Sequence, residues 1–135
     1  MMFLLDTNLC VAYLRGKSTS VRAVLLSQPM SALHLCSPVT AELRFGAENS
    51  QSPTTELSKV EAFSAHFAIL PFDEAATFHY SGIRVDLTRR GLLISEMDML
   101  IAAIALTHNL KLVTHNTAEF SRVHGLQIVD WEVDP

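Results

Sequence analysis

The chain has 135 residues, of which 49% are hydrophobic, and its formal net charge is −4. Residues 1–135 are expected to form a single domain, and a domain of this size buries roughly two-thirds of its unfolded surface. A module that binds nucleic acid through charge alone is usually basic, so the acidic balance argues against that class. The high apolar content suggests that a partner covers some of the surface.

Cys10 and Cys36 are the only cysteines, and two cysteines do not make a disulfide framework. A charge at Asp6 comes too early for a signal peptide. The longest uncharged stretch, 23–41, contains prolines and polar residues and is therefore not a membrane span. These features predict a cytoplasmic protein that does not enter the membrane.

The elements follow one another as alternating apolar runs and helical patterns. In chain order they are a strand over 2–5, helices over 8–15 and 19–27, a strand over 32–36, helices over 38–49 and 53–66, a strand over 67–70, helices over 74–90 and 96–108, a strand over 110–114, a helical turn over 116–121 and a strand over 126–129. Strands that alternate with helices predict an α/β sandwich around a mostly parallel sheet.

Several helix boundaries carry explicit signals. Ser37 and Ser52 each precede a proline, which is the pattern of an N-cap followed by a first-turn proline. Asp73 can cap the following helix, and two arginines followed by Gly91 form its stop. The helix over 96–108 is apolar almost all round and should be deeply buried.

Three carboxylates fall near the predicted strand ends or at a helix start. Asp6 follows the first strand, Glu42 lies in the helix after the second, and Asp98 lies in the first turn of the apolar helix. In open α/β sheets, ligands bind beyond the carboxyl ends of the strands. Clustered carboxylates repel one another, and the commonest reason for such a cluster is a hard cation such as Mg²⁺. The pattern therefore predicts a metal site that could cleave phosphodiesters.

Each acid also has a purely structural interpretation. Asp6 could cap the helix that follows it, and Asp98 stands three residues after Ser95, close to a capping box. Glu42 could be an exposed or ion-paired helix residue. The capping interpretations do not exclude function, since a helix N-terminus also keeps a carboxylate ionised.

Four segments together resemble the PIN-domain family, and within it most closely the VapC toxins of bacterial toxin–antitoxin pairs. They are LLDTN at 4–8, TAELRFGA at 40–47, MDMLIAAIAL at 97–106 and LVTHNTAEFSRVHGLQIVDW at 112–131. The resemblance implies a three-layer α/β/α sandwich and endoribonuclease activity dependent on Mg²⁺ or Mn²⁺. It also implies a structured RNA target, often tRNA, a cognate antitoxin whose tail blocks the site, and a homodimer.

The resemblance assigns the site residue by residue. Asp6 stands where the family has its first acid, Glu42 its second and Asp98 its third. The family's fourth acid falls at Asn116, which brings no charge, so the number of bound metals stays open. Glu119 is the nearest acid and could act through a water molecule.

Further groups near these motifs have two interpretations each. Thr7, Asn8 and Thr114 could orient metal-bound water or an acid, or could serve as turn and cap residues. His115 is either an acid or base beside the site or an incidental loop residue. Glu96 is either a further metal candidate or a helix-start charge.

Four arginines are candidates for RNA contacts, namely Arg44, Arg84, Arg89 and Arg90. The last three could form a phosphate-binding patch, or could be a solvated helix end that suits the helix dipole.

Two rival functions remain at this point. An aspartate-nucleophile phosphatase would use Asp6, but that chemistry usually wants a second acid at the position of Asn8. A catalytically silent regulatory or binding domain is kept open by the net charge and by Asn116.

Overall fold

The structure, a computed structural model, describes residues 2–132 and contains a five-stranded sheet. The strands are β1 (Phe3–Leu5), β2 (Leu33–Cys36), β3 (Ala68–Leu70), β4 (Lys111–Val113) and β5 (Ile128–Val129). Their spatial order is β3-β2-β1-β4-β5, and every neighbouring pair is parallel. All five carboxyl ends therefore lie at one edge of the sheet, where ligands of such folds bind.

Helices connect the strands and cover the sheet. They are α1 (Thr7–Leu14), α2 (Thr19–Ser27), α3 (Ser37–Glu48), α4 (Pro53–Ser64), α5 (Glu74–Arg90), α6 (Glu96–Thr107) and α7 (Thr117–Phe120). The predicted α/β/α sandwich with a parallel sheet is confirmed, and the sheet is parallel throughout. Within residues 2–132, no helix is long and apolar enough to cross a lipid bilayer.

The core lies on both sides of the central strand. All of β1 is buried, with Leu4 between its partners His34 on β2 and Leu112 on β4. On α6, residues 101–105 are fully inaccessible to solvent, as the apolar character of this helix predicts. The site therefore stands on the most rigidly packed elements of the fold.

Local signals set most helix boundaries as predicted. Asp73 accepts a hydrogen bond from the Ala76 N–H, and Gly91 ends α5 with a left-handed backbone at φ 68°. Ser37 is not the N-cap of α3, because Cys36 holds that position while its extended backbone still pairs with Leu70. Strand β2 thus runs into α3 without a loop.

Several strand and helix ends differ from prediction by one or two residues, and the starts of β2 and β5 are examples. Residues 30–32 form a 3₁₀ turn, so β2 begins at Leu33 rather than at 32. The last strand spans only Ile128–Val129, because it pairs with β4 at two positions. Ser52 precedes α4 as predicted, but its side chain makes no capping hydrogen bond.

Candidate active site

Asp6 lies at the carboxyl end of the central strand, where it is the N-cap residue of α1, and its exposed fraction is 3%. Its carboxylate makes no capping hydrogen bond with the helix. Instead, the Thr114 hydroxyl donates to Asp6 Oδ2 over 2.6 Å, from the end of the neighbouring strand. The Thr114 hydroxyl therefore orients this carboxylate, and the backbone N–H groups of Thr7 and Asn8 also act on it.

Thr114 is fully buried and uses its hydroxyl twice. Besides donating to Asp6, its Oγ1 accepts the backbone N–H of Asn116 at 3.0 Å. Its own N–H donates to the Val129 carbonyl at 2.9 Å, which ties the end of β4 to β5. A hydroxyl fixed on both sides holds the Asp6 carboxylate in one orientation.

Glu42 reaches the same region from α3. It is half-buried, and Oε1 accepts a 2.6 Å hydrogen bond from the Thr7 hydroxyl on α1. Thr7 therefore orients an acid from another helix, which is the role that the sequence left open against simple turn chemistry. The two threonines place one carboxylate each by the same means.

Asp98 occupies the first turn of α6 and is half-buried. The Ser95 hydroxyl accepts the Asp98 N–H at 3.1 Å, so Ser95 is the cap, as predicted. Burial above all, and then the charges of Asp6, Glu119 and Glu42, raise the pKa of Asp98 from 3.8 to about 6, although a hydrogen bond with Ser95 lowers it. A carboxyl that responds to three others is electrostatically part of one cluster.

The pKa of Asp6 is also raised, above all by its burial and to a smaller extent by the Glu42 charge, while the Thr114 hydrogen bond and the backbone N–H groups of Thr7 and Asn8 lower it. The structure thus brings Asp6, Glu42 and Asp98 together, with Glu119 close enough to act on Asp98. An uncompensated group of carboxylates of this kind is typical of functional sites.

The donor set suits a hard divalent cation. Carboxylate oxygens are the ligands of Mg²⁺, which keeps several waters and is often held directly by one or two carboxylates. Among residues 2–132, no three His, Cys, Asp or Glu side chains are arranged to hold one ion directly. The residues therefore fit a cation held partly through water, rather than a closed all-protein cage.

Three other site candidates lie in α1, at the start of α7 and within α7. Asn116 is the half-buried N-cap of α7, and its side chain makes no capping bond. Asn8 is exposed in the first turn of α1. Glu119 is half-buried in α7. Asn116 is thus not explained by capping, and the charge of Glu119 acts on Asp98.

Glu96 belongs to a different set of contacts from Asp98. The Tyr80 hydroxyl donates to Glu96 Oε1 at 3.3 Å and accepts a 2.7 Å hydrogen bond from Arg84. The tyrosine, which no sequence pattern singled out, thus joins α5 to the start of α6. Arg89 is exposed on α5.

Besides Arg84, which donates to Tyr80, two more of the four arginine candidates have partners. Arg90 donates to Asp86 Oδ2 at 2.6 Å and also to the Arg122 carbonyl. Arg44 lies 3.7 Å from Glu61 on α4. For Arg90, the structure supports the helix-end interpretation more than the phosphate-patch interpretation.

A cleft of about 670 Å³ includes Glu42 in its wall. It lies between α1, α3 and α4. Leu43 contributes to its apolar part, and Arg15, Lys17 and Lys59 are its basic residues. The cleft is also lined by Glu56, which lies 3.4 Å from Lys59, so it connects one carboxylate of the site to a surface of mixed charge.

His115 has a partner that the sequence analysis did not identify. Its Nδ1 lies 2.9 Å from Asp130 Oδ2, at the end of β5. In the sequence, this contact was indicated only by the fact that both residues follow predicted strands, whose carboxyl ends lie at one edge of a parallel sheet.

Comparison with known proteins decides the family. The model of the PIN domain family matches residues 3–126. The chain belongs to the PIN-domain family. The resemblance drawn from the four sequence segments is confirmed.

Curated relatives match this PIN domain over nearly its whole length. It is 38% identical over 129 residues to the tRNA(fMet)-specific endonuclease VapC of Shigella flexneri, covering 96% of this chain and 97% of that protein. It is 34% identical over 133 residues to Ribonuclease VapC2 of Rickettsia felis, covering 98% and 99%.

Solved structures show the same fold. VapBC from Salmonella typhimurium bound to DNA matches with a TM-score of 0.91 and 34% identity, covering 97% of this chain and 98% of that chain. VapBC2 from Rickettsia felis, bound to a promoter DNA fragment, matches with a TM-score of 0.88 and 32% identity, covering 97% and 99%.

Proposed function

We propose that this PIN domain is a metal-dependent endoribonuclease that acts as the toxin of a toxin–antitoxin pair. The observation that carries the proposal is the convergence of Asp6, Glu42 and Asp98 at the carboxyl edge of the sheet, where burial and mutual repulsion raise the pKa of Asp98 to about 6. The names of the relatives, endonuclease and ribonuclease, support the same reaction class.

Asp6, Glu42 and Asp98 would hold Mg²⁺, or Mn²⁺ in its place, directly or through water. When bound, such an ion supplies a water nucleophile at neutral pH and neutralises charge on the phosphodiester. The carboxylates balance the charge of the ion, and their repulsion in its absence favours its uptake.

The chain's own polar groups orient these ligands. Thr114 holds the Asp6 carboxylate, and Thr7 holds that of Glu42. Ser95 fixes the first turn of α6, which carries Asp98. Asn116 stands at the fourth position of the family pattern and Glu119 is the nearest acid, and either could bind a water of the ion through an oxygen. Pre-oriented ligands reduce the reorganisation that substrate binding requires.

Cleavage of RNA tests the proposal. Wild type and Asp98→Asn are incubated with tRNA(fMet) and with total RNA, with Mg²⁺ or with a chelator, and the new RNA ends are sequenced. We expect Mg²⁺-dependent internal cuts by wild type and none by a folded Asp98→Asn variant. Full activity of that variant would remove Asp98 from the site, and absence of any cleavage by wild type would favour a silent domain.

The phosphatase alternative makes a different prediction. It requires Asp6 to form a covalent phospho-aspartate, yet Asp6 is almost fully buried and hydrogen-bonded to Thr114. Mass spectrometry of the intact protein after incubation with a phosphate ester should show no added phosphate.

The relatives and the exposed apolar surface suggest two kinds of partner, an antitoxin and a second copy of this chain. Solved complexes named VapBC support a cognate antitoxin, whose tail would reach the site through the cleft beside Glu42. A homodimer would cover exposed apolar side chains such as Phe45 and Phe78, whose exposed fractions are 68% and 71%. Light scattering of the chain with and without its antitoxin tests both assemblies.

We also propose that residues 1–135 act as one nuclease domain in the cytoplasm. A single hydrophobic core includes residues from Phe3 to Trp131. Cys10 and Cys36 are free and buried, which suits a reducing compartment.

A further inference from the structure

His115 stands on a short segment that the active site itself fixes in place. The residue before it, Thr114, donates to Asp6, and the residue after it, Asn116, donates its N–H back to Thr114. The position of the His115 backbone is therefore tied to the carboxylate cluster by two hydrogen bonds. The backbone at this position cannot move far without disturbing Asp6.

The imidazole ring is also held, from the side away from Asp6. Asp130 Oδ2 is 2.9 Å from His115 Nδ1, while Asp130 Oδ1 accepts the backbone N–H of Glu132 at 2.8 Å. Both oxygens of Asp130 are thus engaged, and the aspartate is a rigid support for the ring. A carboxylate on Nδ1 sets the tautomer and directs Nε2 outward.

The ring remains accessible despite this support, since 60% of the His115 side chain is exposed. Asp130 lies 2.9 Å from Nδ1, and this negatively charged partner favours the doubly protonated ring, in which Nε2–H is a second donor. An imidazolium is a hydrogen-bond donor at both nitrogens, and an exposed Nε2–H is suited to a phosphate oxygen.

A hydrogen-bond donor beside the negatively charged site could offset its repulsion of RNA. The carboxylates repel a phosphate backbone, and two of the four arginine candidates already have acidic partners. We propose that His115, oriented by Asp130, donates a hydrogen bond from Nε2 to a backbone phosphate of the RNA strand bound at the carboxylate site. The inference rests on the proposed ribonuclease function and adds a substrate contact to it.

The alternative is that the His115–Asp130 pair only joins the ends of β4 and β5. The two roles differ in what a substitution changes. A structural pair affects stability, and it leaves the salt dependence of RNA binding unchanged. A phosphate contact contributes to that salt dependence, because each contact releases counterions from the nucleic acid.

The experiment compares His115→Gln with His124→Gln in the full chain. His124 is a matched control, because it is also exposed and lies 3.8 Å from an aspartate, Asp86, in a region outside the carboxylate site. Binding of fluorescein-labelled tRNA(fMet) is measured by anisotropy across a salt series in chelator, and cleavage is measured with Mg²⁺.

For His115→Gln, we expect RNA binding to weaken by about three- to tenfold at low salt, as for an exposed charge-assisted hydrogen bond. The slope of log Kd against log salt should become shallower by about 0.7, the value for one phosphate contact on a single strand. KM should rise with Kd while kcat changes less. His124→Gln should match wild type in each measurement.

The outcomes separate this inference from the proposed function. If wild type cleaves RNA and His115→Gln retains its KM and salt slope, the phosphate contact is refuted while the nuclease stands. If wild type binds RNA without cutting it and His115→Gln flattens the slope, the contact is supported and the nuclease proposal fails. If wild type neither binds nor cuts RNA, both are overturned.

Asp130→Asn provides a second variant that keeps the histidine. An asparagine amide can still pair with the ring, yet it lacks the charge that favours the Nε2 proton. We expect a partial loss of RNA binding in the same direction as for His115→Gln. A wild-type salt slope in both variants would contradict the inference, even if one of them were less stable.

Discussion

Replacing Asp98 by asparagine should make the metal-free protein more stable while it removes activity. The pKa of Asp98 rises from 3.8 to about 6 on folding, chiefly through burial and then through the Asp6 charge. The folded protein therefore holds a proton, between about pH 4 and pH 6, that the unfolded chain has already released. Stability falls as the pH rises through this window, and the full penalty is present above pH 6.

The size of the effect follows from the shift. Two pKa units correspond to about 3 kcal/mol. Asp98 is only half-buried, so solvent screening reduces the figure to on the order of 1–2 kcal/mol. For a chain of this length, Asp98→Asn should raise Tm in chelator near neutral pH by roughly 3–7 °C. The gain should vanish near pH 4, where wild-type Asp98 is neutral in both states.

Calorimetry at several pH values, with chelator or with Mg²⁺, measures this prediction. Mg²⁺ should stabilise wild type more than Asp98→Asn, because the ion relieves a repulsion that the variant lacks. Asp86→Asn is a control of opposite sign: the Arg90 hydrogen bond lowers the pKa of Asp86, so this variant should lose stability above the unfolded pKa. A lower Tm for Asp98→Asn in chelator near neutral pH would refute the repulsive-cluster reasoning.

Three further substitutions test the packing and the support of the site. Thr114→Val leaves the buried Asp6 carboxylate without its hydroxyl donor and should cost about 1–3 kcal/mol in urea unfolding, with recovery in Thr114→Ser. Ile104→Ala, in the fully buried part of α6, should cost about 2–5 kcal/mol at an unchanged m-value. Asn116→Asp should tighten Mn²⁺ binding in titration calorimetry, and an unchanged affinity would place residue 116 outside the metal site.

The elements that sequence predicted well are those set by local chemistry. The Asp73 cap, the left-handed Gly91 and the apolar α6 each depend on residues within a few positions of one another. Such signals are complete in the sequence, because a capping hydrogen bond or a helix stop involves only one turn. The parallel sheet followed from the alternation of strands and helices.

The support of the site was beyond a sequence argument. The hydrogen bond from Thr114 to Asp6 joins residues 108 positions apart, and that from Thr7 to Glu42 joins residues 35 apart. Turn chemistry explained both threonines equally well until the strand order was known. The Asp130 partner of His115 was hidden for the same reason, since β5 pairs with β4 over only two residues.

The structure also changes the balance between the capping and the functional interpretations of the acids. Ser95 already satisfies the Asp98 N–H, and the Asp6 side chain makes no capping bond. Burial raises the pKa of both carboxylates, which means that the fold makes their charged forms less favourable. A buried and a half-buried acid whose charged forms the fold disfavours are explained by a ligand that compensates their charge. Functional sites commonly contain residues that lower stability, because the function requires those residues.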